Sequence, residues 1–339
     1  MSKKNSNVLN LKSTIIKDKK IFKIYKDFKS EISKITNNKP FVAAISGGAD
    51  SLALAALSEF YRIEKKIIIH FVLIDHGIRK NSQKEARSVQ KLLKKFFIFL
   101  IIKKNKNKFK ANIQKAARDM RYKFLSDFCK KKKIRYILTA HHMDDQIETF
   151  LIRLSRGSGI QGLSSMNRVS MLNNNIRIVR PFLNVKKKDL KYTSKKIFKK
   201  VFEDPSNKNK KYLRTRIRTL KNKFERSGIS HSQIIRSINN LATSRDIVNN
   251  YLSQAIKQLT EKRRNEILIK LKPLLLENEE IQFKVLSQSI QNFSKSYYPP
   301  RSKKIFNILN KLKERKKLKS TLAGCVIEKT GSNLSITRE

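Results

Sequence analysis

Two clusters in this 339-residue chain carry side chains suited to handling phosphate. The first is Ser46-Gly47-Gly48-Ala49-Asp50-Ser51. Its two glycines leave room for a phosphate to approach the backbone, and its two serines add hydroxyl donors. A helix starting here would aim unpaired N–H groups and the positive end of its dipole into the turn. Asp50 is the odd member, because a carboxylate beside phosphates needs a cation between them. No Lys-Ser/Thr pair follows the glycines, so the loop is not a Walker A motif. An ordinary strand–turn–helix corner with two glycines is the plainer account. The second cluster is His141-His142-Met143-Asp144-Asp145-Gln146-Ile147-Glu148-Thr149. On a helix, His141, Asp145 and Glu148 fall at i, i+4 and i+7 and share one face. Acids in a first turn gain ~0.3–1 kcal/mol each from the dipole, which explains them without any chemistry. Adjacent histidines point apart on a helix and cannot both hold one ion. If both clusters lie at the same end of a sheet, Asp50 and Asp145 can share one Mg²⁺.

The surrounding pattern places them there. Phe41–Ile45, Ile67–Ile74, Phe96–Ile102 and Ile134–Thr139 read as strands buried on both faces. Helical spacing lies between them: Leu52, Leu54 and Leu57 after the first, and Ile113, Ala116, Met120, Phe124 and Phe128 before the fourth, with Asn112 as a cap. This repetition predicts an α/β fold, a doubly wound parallel sheet with its ligand crevice at the carboxyl ends of the strands. Ser46–Ser51 and Asp75–Arg79 both fall at that end. Glu203–Lys211 reads as a loop or linker. After Gly228, Ile234, Ile238, Leu241, Val248, Leu252, Ala255 and Leu259 predict one long helix or two. Ile305, Phe306, Leu309 and Leu312 predict another, and Thr321–Ile327 with Leu334–Thr337 a closing hairpin. Only the first dozen residues are biased enough to read as disordered.

The formal net charge is +52, from 78 Lys+Arg against 26 Asp+Glu, and points to a polyanionic partner. The bias toward Lys, Asn and Ile is a competing source of that charge, so it does not say which face binds. Cys129 and Cys325 form no C-x-x-C pair, which fits a reducing compartment without disulfides or a zinc site. No signal-peptide core is present at the N-terminus, and the apolar runs are too short to span a bilayer. The expectation is a cytoplasmic protein with no membrane partner.

The loop resembles the pyrophosphate-binding (PP) loop, Ser-Gly-Gly-x-Asp-Ser, of enzymes that cleave ATP to AMP and pyrophosphate. A more specific resemblance comes from several motifs in order. They are Asp75-His76-Gly77-Ile78-Arg79, Ala116-Ala117-Arg118 with Arg121-Tyr122, and the run from His141 to Leu163. Arg180-Pro181-Phe182-Leu183, Glu203-Asp204-Pro205-Ser206-Asn207 and Arg214-Thr215-Arg216-Ile217-Arg218 follow. Together they resemble the tRNA(Ile)-lysidine synthetase family from about Phe41 to Arg218; Thr321–Cys325 and the terminal Arg338-Glu339 match more weakly. Thr215 stands where the family commonly has Asn, and Met143 where it often has a smaller residue. The resemblance implies a basic helical extension over 1–38 and a Rossmann-like PP-loop catalytic domain over 39–218. It also implies a mostly helical tRNA-binding region over 219–339 that ends in the hairpin.

The activity it implies has two steps. The wobble cytidine of a CAU anticodon in isoleucine tRNA attacks ATP through its C2 oxygen and releases pyrophosphate. The ε-amine of L-lysine then displaces AMP to give lysidine, which reads AUA. In that scheme Ser46, Gly47, Gly48, Ala49, Asp50 and Ser51 hold ATP, and Asp50 and Asp145 carry Mg²⁺. Glu148 supports the metal or receives the lysine ammonium, and His141 orients the acids or the nucleotide. Arg121 and Arg214 contact tRNA or the activated base. A homodimer is left open. A tRNA 2-thiolation enzyme shares the loop and the basic character but needs a cysteine pair. NAD or GMP synthetases need no tRNA, and the latter brings a glutaminase domain for which no stretch is visible. A non-catalytic RNA-binding protein has no use for acids at 50, 144, 145 and 148.

Overall fold

The structure is a computed structural model that describes residues 3–78, 81–105, 113–173, 175–202, 213–294, 296, 299–314 and 318–339. The chain divides into two compact units, Met1–Leu241 and Ala242–Glu339.

The first unit is built on a six-stranded sheet. In chain order its strands are β1 (Phe41–Ile45), β2 (Ile69–Asp75), β3 (Leu100–Lys104), β4 (Tyr136–Leu138), β5 (Val169–Asn173) and β6 (Ile176–Val179). They lie side by side as β3-β2-β1-β4-β6-β5, all parallel except the β5–β6 pair. From β1 the chain steps outward through β2 to β3, then returns to the other flank of β1 as β4. The order therefore reverses at β1 and β4, where loops leaving the strand ends diverge and open a crevice. Both chemical clusters follow these two strands.

Helices α1 (Lys3–Lys17) and α2 (Lys19–Thr36) precede the sheet. Asp18 caps α2 by accepting from the N–H groups of Lys20 and Ile21, both at 3.1 Å. The first dozen residues, expected to be disordered, are helical from Lys3, and Leu11 and Ile15 are buried. Those side chains join Tyr25, Phe28 and Ile32 in the core that holds β1. That core also takes α3 (Ala49–Lys65), buried from Ser51 to Tyr61, and part of α8 (Lys187–Phe198). A second apolar cluster lies on α5 (Ile113–Lys131), which packs on β1, β2 and β4 through Leu125 and Cys129. The helix α4 (Ser82–Lys94) completes the sheet cover beside β2 and β3.

Some expected bounds move. The run Phe96–Ile102 is not one strand: α4 ends at Lys94, Phe97 takes φ +61°, Phe99 is exposed, and β3 starts only at Leu100. Ile67 and Ile68 precede β2, and Ile68 is exposed. The expected cap Asn112 and the loop Glu203–Lys211 lie outside the described residues. Beyond the sheet run α6 (Met143–Leu154), the short α7 (Ile160–Leu163), α9 (Leu213–Arg226) and α10 (His231–Leu259). Ile217 of α9 and Ile234 and Ile238 of α10 pack with Ile147 and Leu151 of α6. The periodicity after Gly228 thus belongs to one long helix, which continues into the second unit.

The second unit holds α11 (Leu271–Leu276), α12 (Glu279–Ser294) and α13 (Ser302–Glu314). A closing hairpin is present as β10 (Cys325–Thr330) and β11 (Asn333–Arg338), paired antiparallel, but the expected strand Thr321–Ile327 is broken at Ala323 and Gly324, both at positive φ. The hairpin forms part of a five-stranded sheet ordered β7-β8-β11-β10-β9, with β7 Thr260–Lys262, β8 Glu266–Lys270 and β9 Lys319–Leu322. One face of this sheet, through Ile267, Ile269, Leu334, Ile336 and Ile327, packs with Val285 and Leu286 of α12 and Leu309 of α13. No described helix is long and apolar enough to cross a membrane.

Candidate functional site

Ser46–Gly48 turn the chain from β1 into α3 at the reversal point of the sheet. Ser51 Oγ shapes this turn from inside. It accepts from the N–H of Ser46 at 3.1 Å and of Gly47 at 3.0 Å, and donates to the Gly48 carbonyl at 2.9 Å. Gly47 is held at φ +90°, and a Cβ there would stand 2.7 Å from Val89 Cγ2. Gly48 begins α3 without a side-chain cap, so the helix end keeps its N–H groups directed outward. Asp50, in the first turn, has its Oδ1 buried with no hydrogen-bond partner among the described residues.

The second cluster begins where β4 ends. The helix expected to open at His141 opens at Met143, with His142 as its cap. His142 Nδ1 accepts from the Asp145 N–H at 3.3 Å, and Asp145 Oδ2 accepts from the His142 N–H at 3.1 Å. This reciprocal pair is a capping box built on histidine. Because Nδ1 accepts, Nε2 faces the carboxylates: Asp50 Oδ2 at 3.4 Å and Asp145 Oδ2 at 3.5 Å. His142 therefore joins the two clusters, placing the Asp50 and Asp145 carboxylates on one imidazole edge. Burial would lower its pKa, but Asp50, Asp145 and Asp144 outweigh burial and raise it.

His141 lies outside the helix, one residue before its cap. Its Nδ1 pairs with Thr139 Oγ1 at 2.8 Å. Burial pushes its pKa down to about 3 against the pull of Asp145, helped by Arg180, Arg118 and Arg214, so it stays neutral at pH 7. Asp144 Oδ2 accepts from the Lys187 N–H at 3.0 Å, pinning the start of α8, and lies 4.0 Å from His142 Nδ1.

Glu148 is buried beneath two arginines of α9. Its Oε2 accepts from Arg214 Nε at 2.8 Å and its Oε1 from Arg218 Nε at 2.7 Å. Arg214 also donates from Nη2 to Asp145 Oδ1 at 3.0 Å. Burial alone would raise the Glu148 pKa; the two guanidinium groups hold it below the usual carboxylate range. Spacings of i, i+3 on α6 and i, i+4 on α9 bring these four residues together. Arg121 sits elsewhere, at the end of β2, where its Nη2 meets His76 Nε2 at 3.2 Å. A guanidinium only donates, so Nε2 accepts and His76 is neutral, its pKa lowered to about 4 by burial and Arg121.

The structure thus joins Asp50, Asp145, Glu148 and Arg214 by ion pairs and hydrogen bonds; His141 bonds to Thr139 and feels the charges of Asp145 and Arg214, and Arg121 bonds to His76. His142 and Arg218 are the members that sequence reasoning missed. The signal for His142 was its place just before a run of acids, where a cap is needed. Arg218 could be found from its four-residue step after Arg214.

The donor set suits a hard cation bound to phosphates. Two carboxylates converge, and one of their oxygens is buried without a partner. Among the described residues no three His, Cys, Asp or Glu side chains gather as a closed metal site. Mg²⁺ is usually held by one or two carboxylates plus substrate oxygens, so Asp50 and Asp145 fit it.

Comparison with known proteins gives a consistent picture. A family model described as a PP-loop domain matches residues 16–223. The chain is 36% identical over 307 residues to a tRNA(Ile)-lysidine synthase of Wolbachia pipientis wMel, covering 89% of this chain and 71% of that one. It is 33% identical over 316 residues to the same-named protein of Orientia tsutsugamushi (strain Boryong), covering 89% and 70%. For Rickettsia typhi (strain ATCC VR-144 / Wilmington) the identity is 31% over 342 residues, covering 93% and 74%. Among solved structures, the U34-tRNA thiolase NcsA from Methanococcus maripaludis shares the fold, with a TM-score of 0.56 at 16% identity. That match covers 66% of this chain and 79% of the thiolase.

Proposed function

The chain belongs to the tRNA(Ile)-lysidine synthase family of PP-loop proteins, and from that premise we propose that the Asp50–His142–Asp145 junction is its adenylation centre. It is an ATP-using ligase that modifies tRNA, forming lysidine at the wobble base. The observation that carries the site assignment is His142 Nε2 lying 3.4 Å from Asp50 and 3.5 Å from Asp145. It ties the phosphate loop to the acids of α6.

In the proposed reaction the C2 oxygen of the wobble cytidine attacks the α-phosphorus of ATP, and pyrophosphate leaves. The ε-amine of L-lysine then attacks C2, sheds a proton, and AMP departs with the oxygen. The turn at Ser46–Ser51 seats the phosphates on backbone N–H groups and the α3 N-terminus. Mg²⁺, when bound, would neutralise charge on the triphosphate and the leaving pyrophosphate, with Asp50 and Asp145 as its protein ligands. His142 holds those two carboxylates in register. Arg214, anchored on Glu148, offers its guanidinium to the anionic substrates beside Asp145. Neutral His141 orients bound groups, and Arg121 contacts the tRNA or the activated base. The region 219–339 binds tRNA, a role that suits the +52 charge.

The test is mass analysis of the anticodon base after incubation with isoleucine tRNA bearing CAU, ATP and L-lysine. A lysine-sized gain with release of AMP and pyrophosphate is expected; no gain would reject the reading. The 2-thiolation alternative is disfavoured by the cysteines. Cys129 is buried in the α5 core, its thiol pushed up to about 12 by burial, and Cys325 lies in the second unit. Neither is a ready thiolate.

Gly47→Ala should weaken nucleotide binding by about tenfold. Its φ of +90° and the Val89 methyl both oppose a Cβ, and strain of ~1–2 kcal/mol is about a factor of ten. Nucleotide titration checks it, and the melting temperature should fall by a few degrees, because the same strain is present in the folded protein before nucleotide binds.

A further inference from the structure

We infer that Arg218 is a positioning residue that prevents Glu148 from capturing both donors of Arg214. A guanidinium offers Nε–H and one Nη–H side by side, a fork that matches the two oxygens of one carboxylate. Arg214 does not use its fork in that way. Its Nε goes to Glu148 Oε2 at 2.8 Å, while its Nη2 goes to Asp145 Oδ1 at 3.0 Å. The remaining oxygen of Glu148 is already taken by Arg218 Nε at 2.7 Å. The Glu148 side chain is 2% exposed, so water is a poor substitute for that donor. Without Arg218, Oε1 would be a buried acceptor lacking a donor. The nearest remedy is for Arg214 to swing Nη2 onto it and close the fork.

Arg214 would then leave Asp145, and the carboxylate at the metal site would lose its cationic neighbour. The contact through which Arg218 acts on this cluster is the one to Glu148 Oε1. The inference rests on the proposed role of Asp145 and Arg214 in adenylation.

The experiment compares Arg218→Met, Arg218→Lys, Arg214→Lys and the double variant Arg214→Lys/Arg218→Met by tRNA-dependent pyrophosphate release. Arg218→Met should lower kcat by ~10–100-fold, the usual cost of losing a partner that orients a working group, with KM for ATP within about twofold. Arg218→Lys keeps a cation at Oε1 and should restore most of the loss. Lysine has no fork to be captured, so in the Arg214→Lys background Arg218→Met should add less than about twofold. Equal losses in both backgrounds, or a wild-type kcat in Arg218→Met, would overturn the inference. A crystal structure of Arg218→Met decides the geometry without turnover. Both Arg214 donors on Glu148 support it, and Arg214 still reaching Asp145 refutes it. Should Arg218→Met not fold, Arg218→Leu, which also brings no donor to Oε1, serves for both measurements. Wild-type protein that releases no pyrophosphate would count against the functional reading, leaving the structural result to judge Arg218.

Discussion

Asp50→Asn is expected to fold as the wild type does and to release pyrophosphate at least about 10³-fold more slowly. The amide matches the carboxylate in size, and Asp50 lies in the first turn of α3, where Asn is tolerated. What it loses is charge at a carboxylate whose Oδ1 is buried without a hydrogen-bond partner among the described residues. A bound cation contributes several kcal/mol of charge stabilisation, and about 1.4 kcal/mol is a factor of ten. Asp145→Asn should lose as much turnover and some stability too, because Asp145 Oδ2 also closes the capping box and Oδ1 holds Arg214. Quench-flow pyrophosphate release and thermal melts separate the two effects. Turnover within tenfold of wild type in both variants would remove the shared-cation assignment.

Glu148→Ala should destabilise the first unit by about 3 kcal/mol, since removing one partner of a buried ion pair leaves the others uncompensated. For a unit of this size that is a fall of roughly 10 °C in melting temperature. Acid should reveal the same group. Its folded pKa is lowered, so its stabilisation is complete above the ordinary carboxylate value of about 4.3 and is lost as pH falls through the lower folded value. Melting temperature against pH should therefore drop less steeply below about pH 4.3 in Glu148→Ala than in wild type. Parallel acid limbs would show that Glu148 is not the group being titrated.

How much of this could be read from the chain depended on the kind of signal. β1 and β2 were visible because strands buried on both faces leave unbroken apolar runs, as Phe41–Ile45 does. β3 was blurred by Phe96–Phe99, which is equally apolar yet forms the turn after α4. β5 and β6 were missed, although Ile176, exposed Arg177 and Ile178 alternate, because four residues make too short a pattern to stand alone. β8 escaped for the same reason despite buried Ile267 and Ile269. Both clusters were expected at one end of the sheet, and Asp50 and Asp145 do meet there on His142. The details inside the cluster were not legible. Sequence spacing assumed that His141 began the helix, whereas the chain bends one residue later and gives the bridging position to His142. Nor can spacing show that Glu148 is covered by α9, because that contact joins residues 66 and 70 apart.

The hydroxyl of Ser51 has a thermodynamic consequence for the nucleotide. By gathering the N–H groups of Ser46 and Gly47, it fixes the turn while the chain folds, so the backbone freedom of those residues is surrendered then. A nucleotide meeting this turn does not have to order it, and more of its contact energy survives as affinity. Ser51→Ala would return that ordering to the moment of encounter. Its signature should be a more unfavourable binding entropy with slower association, rather than a loss of heat from missing contacts.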